Sequence, residues 1–222
     1  MKTIYKAIFI LLLACFTSAC EYDNYDEPAA VIEGSFTYQD QKVGIKHNLD
    51  VLRLFEEGWQ NSTPINISVH QQGTFRTELF HGDYKLALVP GNGPWVNKVD
   101  TIYFNLKGSE TIEIEVQPFF WIADEKMELG DNMLTANFSL EKVVEDSKLQ
   151  YVSLFVGNTR FVDNQFNVKE TRVPLSEITN LESPILSMDL QDLDGDFIYA
   201  RIGVKTVGNP QLIFSQVKKI EL

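Results

Sequence analysis

The sequence predicts an all-β protein made of two tandem antiparallel β-sandwich domains, and three observations carry that prediction. Apolar residues recur at every second position, as in Ile102, Phe104, Leu106, then Ile112, Ile114, Val116, and later Leu134, Ala136, Phe138, Leu140. This period places alternate side chains on one face of a strand. The runs are short and are separated by turn-forming clusters such as Pro90-Gly91-Asn92-Gly93-Pro94, the punctuation of a sandwich. Helical periodicity is lacking, apart from one turn expected within residues 175–181.

Taken in order, the first domain spans residues 29–117. Its strands are expected at 31–38, 48–55, 65–71, 73–80, 84–88, 102–106 and 112–116. In the 73–80 run Phe75, Thr77 and Leu79 alternate with Thr74, Arg76 and Glu78, and His81-Gly82-Asp83 turns the chain into Tyr84, Leu86 and Leu88. Pro118 closes this domain. Phe119-Phe120-Trp121-Ile122 reads as an aromatic joint, with Trp121 as cement between domains. The second domain, residues 118–222, takes its strands from 134–141, 149–156, 166–173, 185–190, 197–204 and 211–220.

The chain has 222 residues, a formal charge of −12, 44% apolar residues and 12% aromatics, ample for a core without covalent help. The only cysteines are Cys15 and Cys20, so the folded part has neither a disulfide nor thiolate chemistry. Nucleic-acid binding is disfavoured, because it rests on Lys and Arg neutralising phosphates. The same acidity argues against lying flat on an anionic membrane.

Residues 1–19 have the parts of a secretory signal peptide: Lys2 and Lys6 with no acid, an apolar stretch over 7–16, then Thr17-Ser18-Ala19. The apolar stretch is about half of the roughly 20 residues a membrane-spanning helix needs. A cysteine directly after the small residues resembles a bacterial lipoprotein signal. That resemblance implies acylation at Cys20, which becomes the mature N-terminus. Cys15, after Leu12-Leu13-Ala14, is the alternative acceptor but leaves a short apolar segment. Residues 20–28 then form an acidic tether, and loss of Lys2 and Lys6 takes the mature charge two further negative, to −14. Two or three acyl chains hold a protein to a bilayer firmly, where one gives marginal binding.

Two resemblances extend this reading. Gly73-Thr74-Phe75 followed by Phe80-His81-Gly82-Asp83-Tyr84 resembles the hairpin of transthyretin-like or carboxypeptidase-regulatory-like domains, with His81 where those have proline. It implies that fold for residues 29–117, beside an immunoglobulin- or fibronectin-like second sandwich. The whole chain is similar to two-domain lipoproteins of unknown function from Bacteroidetes. Cys20-Glu21-Tyr22-Asp23-Asn24-Tyr25-Asp26, Pro90 to Trp95, Pro118-Phe119-Phe120 and Tyr199 to Val204 carry the similarity. It implies an outer-membrane, lipid-anchored protein at the cell surface. It further implies a SusC/SusD-type importer as partner, and glycan or peptide uptake as the setting. Asp100-Thr101-Ile102 also resembles an O-glycan acceptor used in that phylum, though Thr101 reads equally as an outward strand residue.

Candidate chemistry is sparse. No Gly-x-Ser-x-Gly elbow, phosphate-binding glycine loop or cysteine nucleophile occurs, so no catalytic residue and no cofactor are expected. His47, His70 and His81 fall on different loops or strand ends, without metal-like spacing. Asp192-Leu193-Asp194-Gly195-Asp196 offers alternate carboxylates to a calcium ion, or else is a β-turn in which Asp-Gly supplies positive φ. Binding of oligosaccharide would use an exposed aromatic as a platform beside amides. Trp59 and Asn61 in the polar loop at 56–61, and Trp95 after the Gly/Pro loop, are the expected contacts. The expectation is therefore a non-catalytic lipoprotein that binds oligosaccharide or oligopeptide for an importer, or a purely structural subunit of it.

Overall fold

The computed structural model describes residues 27–58, 63–97, 100–178 and 180–222. The signal peptide, Cys15, Cys20 and most of the tether lie outside the described residues, as do Trp59 and Asn61.

The N-terminal module contains β1 (Ala30–Tyr38), β2 (Gln41–Lys42), β3 (Leu52–Glu56), β4 (Ile65–Asn66), β5 (Thr74–Leu79), β6 (Gly82–Leu88), β7 (Thr101–Leu106) and β8 (Ser109–Glu115). One sheet is centred on β1, which pairs with β5 and β2 along one edge and with β8 along the other. The facing sheet runs β4-β3-β6-β7. One pairing departs from the antiparallel expectation: β1 and β8 run parallel, from Val31↔Ser109 to Thr37↔Glu115. The chain crosses between sheets at Lys107-Gly108, so β8 reaches β1 travelling in the same direction. The strand expected from residue 48 begins only at Leu52, because Asn48 takes a left-handed φ of 55°. The expected 65–71 strand shrinks to β4 and a bridge from Val69 to Phe75.

The C-terminal module contains β9 (Phe120–Gly130), β10 (Met133–Lys142), β11 (Leu149–Gly157), β12 (Lys169–Pro174), β13 (Ile185–Asp189), β14 (Phe197–Thr206), β15 (Leu212–Phe214) and β16 (Lys218–Glu221). One sheet is ordered β13-β10-β9, the other β12-β11-β14-β15, with β16 also on β14. Strand β9 corrects the sequence reading, which ended a joint at Ile122 and resumed strands at Leu134. Asp131 and Asn132 sit at φ 49° and 60°, the two-residue turn that closes a tight β9–β10 hairpin. The expected helical turn appears as a short 3-10 turn at Leu175–Glu177.

Inward residues of both modules form one continuous core, from Ile32 and Phe36 through Trp95 and Trp121 to Leu134 and Ile202. A smaller cluster of Phe155, Val162, Leu212 and Phe214 packs on the other face of β11, β14 and β15. Among the described residues no helix is long and apolar enough to cross a membrane.

Candidate functional site

The site begins with Arg201. Its position in β14 alternates with the inward Ala200 and Ile202, so the guanidinium points to the sheet's other face, toward the N-terminal module. It is fully buried. Nε donates to Ser215 O at 2.7 Å, Nη1 to Val162 O at 3.2 Å, and Nη2 to Gln71 O in the N-terminal module at 2.7 Å. The group also stacks over Phe214 at 4.4 Å. Burial pushes its pKa down to about 9, opposed by Asp163, so it is still a cation at neutral pH. A buried charge needs this satisfaction, since an unpaired one is expelled from low dielectric.

Gln71 completes the plug. Its Nε2 donates to Arg160 O, and its Oε1 accepts from Val162 N at 3.4 Å. Val43-Gly44-Ile45 lies close by, with Phe214 N donating to Gly44 O at 2.9 Å. A Cβ on Gly44 would stand 2.3 Å from Phe214 O and 2.8 Å from Arg201 Nη2, so only glycine lets the two backbones meet. The loop between β11 and β12 is thereby fixed. Asp163 Oδ1 braces it by accepting from Gln165 N at 2.7 Å and Phe166 N at 2.9 Å.

This loop carries Phe161 across the junction to two histidines. The Phe161 ring lies 4.7 Å from His47 and 6.1 Å from His70, and the imidazoles are 5.5 Å apart at 74°. The sequence reading kept these histidines apart; the fold brings His47 and His70 together because the 43–47 and 69–71 segments pair through Ile45 N to Gln71 O and Asn48 N to Val69 O. His47 Nδ1 is buried and finds no partner among the described residues. The His70 pKa is lowered, first by burial, then by His47, Arg160 and Arg201.

The imidazoles wall a cleft of about 680 Å³ on the outer face of the β1 sheet. Its floor mixes polar and apolar groups: Glu33 and Ser35 on β1, Thr74, Phe75 and Arg76 on β5, Thr111 and Glu113 on β8, with Ser68 and Lys42 at the sides. Arg76 Nη1 contacts Glu33 Oε2 at 3.2 Å, and Ser68 Oγ donates to Asn48 Oδ1. Hydroxyls, carboxylates and a guanidinium on one sheet, with imidazoles on the loops beside it, can hydrogen-bond a ligand rich in hydroxyl or amide groups.

Residues 30–117 match the family described as "Protein of unknown function (DUF3823) N-terminal domain", and residues 120–219 match "Domain of unknown function (DUF3823_C)". The chain belongs to the DUF3823 family. A DUF3823 protein from Parabacteroides merdae is 32% identical with a TM-score of 0.80, covering 88% of this chain and 100% of that one. One from Bacteroides ovatus is 27% identical at TM-score 0.80, covering 87% and 99%. A candidate carbohydrate-binding protein from Bacteroides uniformis has the same fold at 24% identity and TM-score 0.73, covering 88% and 100%. No curated protein matches the chain.

Within this DUF3823 chain the other site residues expected from sequence fare differently. Trp95 is corrected as a ligand platform: it is 4% exposed and stacks on Phe36 at 4.9 Å and 29°. The preceding Gly93-Pro94 folds it back, and a Cβ on Gly93 would fall 2.1 Å from the indole. Trp121 is buried with its ring 5.3 Å from Tyr38 of the first module. Of the two readings of Asp192-Leu193-Asp194-Gly195-Asp196, the backbone follows the turn. Asp192 is paired with Lys169, which holds its carboxyl below the usual range, and Asp194 and Asp196 are exposed. Gly195 at φ 131° marks a turn, and among the described residues no three metal-ligating side chains converge. His81 is exposed beside β6, and Thr101 lies on β7 opposite Ala87.

Proposed function

We propose that this chain is a non-catalytic, lipid-anchored binding protein that holds an oligosaccharide in the His47–His70 cleft and presents it to a SusC/SusD-type importer. The cleft is the observation that carries the reading: a concave surface with polar groups on the β1 sheet of the first module, its two imidazoles braced by Phe161 of the second. Support for a sugar over a peptide comes from the carbohydrate-binding description attached to the Bacteroides uniformis relative. Acyl chains on Cys20 would hold the protein at the outer membrane, within reach of the transporter. The test is a glycan array followed by calorimetry on the full chain. Arg76→Ala is expected to weaken binding about tenfold, the scale of one charge-assisted hydrogen bond. Unchanged affinity in that variant removes the cleft from the function. Cys20→Ser, fractionated from cells, is expected to leave the envelope; retention with acylation intact sinks the anchor.

One observation favours a second reading. Arg201 rivets the modules whether or not a ligand is bound, which suits a fixed spacer within the importer complex. That reading predicts co-purification with a SusC/SusD-like pair and no heat with any glycan.

A further inference from the structure

We propose that a second groove, on the aromatic flank of the junction, is a separate site for a neutral pyranose ring; it deepens the binding function proposed above and rests on it. The groove measures about 570 Å³ and is lined by Tyr38, Val96, Asn97, Glu115, Gln117 and Val143. None of these lines the histidine cleft. Tyr38 ends β1, Glu115 ends β8, and Val143 follows β10, so this wall, unlike the cleft's, is drawn from both modules.

Its chemistry differs from the cleft's in a way that selects the ligand. The Tyr38 ring is held by Trp121, whose centroid lies 5.3 Å away at 60°. Burial, then Glu141, raises the Tyr38 pKa, so the phenol stays protonated, and its oxygen accepts from Gln39 Nε2 at 3.2 Å. Asn97 and Gln117 bring amides, each with donors and an acceptor. Asn97 is anchored where its Oδ1 accepts from Gly91 N at 2.6 Å. Among the described residues the lining carries no Lys or Arg, so the groove offers a phenol and amides to its ligand. A neutral pyranose has a C–H face to lay on a phenol ring and hydroxyl edges to meet the amides.

The groove is also rigid, as a preorganised site requires. Val96 N donates to Gln117 O at 2.9 Å, Val116 N to Thr37 O at 2.9 Å, and Val143 N to Phe119 O at 3.2 Å. Behind Tyr38, the Trp121 Nε1 is buried and has no partner among the described residues. Polar atoms in that state are uncommon and ask for an explanation. Val96 stays 37% exposed at the rim.

The test is calorimetry of the full chain, in detergent, with maltohexaose, cellohexaose, xylohexaose and mannohexaose. The expected result is two equivalents of the best hexaose per chain. Gln117→Ala and Tyr38→Ala each weaken one equivalent at least tenfold and leave the other, which Arg76→Ala weakens. Tyr38→Phe keeps the ring and is expected to stay within about threefold of wild type on loss of one neutral hydrogen bond, which separates lost stacking from misfolding. A single equivalent abolished by Arg76→Ala and indifferent to Gln117→Ala and Tyr38→Ala overturns this groove and leaves the cleft standing. A single equivalent sensitive only to Gln117→Ala and Tyr38→Ala supports the groove and removes the cleft. No heat with any hexaose overturns both.

Discussion

Two flanks of one domain junction do the same job with opposite chemistry. On one flank a guanidinium is buried among three carbonyls, Ser215, Val162 and Gln71. On the other, Trp121 of the second module packs against Tyr38 of the first, and Trp95 bridges to Pro118. The aromatic flank removes apolar area from water, a non-directional gain. The polar flank gains little net energy, since desolvating the cation offsets its hydrogen bonds. What it supplies is direction: the guanidinium is satisfied in only one placement of the modules. Stability and geometry are thus held by different residues, and substitutions should separate them.

The largest effect is expected at Arg201. Arg201→Ala leaves three buried carbonyls without their donor and empties a well-packed site, a loss of about 3–5 kcal/mol. Urea unfolding should show it as a lower midpoint. A change within error would mean the carbonyls find other donors and the plug is dispensable.

Gly44→Ala comes next and tests the same flank with the guanidinium retained, though its methyl would also fall 2.8 Å from Arg201 Nη2. The added methyl meets Phe214 O at 2.3 Å and must push the strands apart, costing about 1–3 kcal/mol as overpacking. Loss of protection at the Phe214 and Gly44 amides in hydrogen exchange should accompany it. Intact protection would show that the modules tolerate the displacement.

The strands of both modules were legible wherever alternation was carried by large apolar residues, as in β8 and β10. Strand β9 was not, because its outer half, Asp124-Glu125-Lys126-Met127-Glu128-Leu129, puts charges between half-buried residues and reads as a loop. The Asp131-Asn132 turn was the signal that should have revealed it. The site was harder still. His47 and His70 are 23 positions apart in sequence and meet only through loop backbone pairing, while Phe161 arrives from the other module. Arg201 sits within a strand whose alternation marks it as outward, and nothing local says another module covers that face. Trp95 was misjudged because a Gly-Pro loop signals a turn without saying whether the next ring swings in or out.

A smaller effect is expected from pH, again on the polar flank. His70 titrates below 6.5 in the folded chain, chiefly through burial, with His47, Arg160 and Arg201 adding to it. Between its folded value and 6.5 the unfolded chain binds the extra proton, so stability rises with pH across that window. The stability present above 6.5 is lost as the solution is acidified toward the folded value. Melting temperature followed from pH 7.5 downward should fall in wild type and fall less in His70→Gln. Parallel curves for the two would assign the acid sensitivity elsewhere.

The smallest stability change should come from the aromatic flank and is the sharpest contrast with Arg201. Trp121→Phe removes part of a buried ring, which costs area, and also a buried N–H that has no partner among the described residues, which relieves a penalty of about 1–3 kcal/mol. The two terms oppose, so the net change should stay within about 1 kcal/mol, where deleting the ring in Trp121→Ala costs about 3–5 kcal/mol. A flank held by apolar contact tolerates losing a polar atom and fails on losing volume; the Arg201 flank behaves the other way. Should Trp121→Phe prove as damaging as Trp121→Ala, the indole N–H is engaged after all, and this flank is directional like its counterpart.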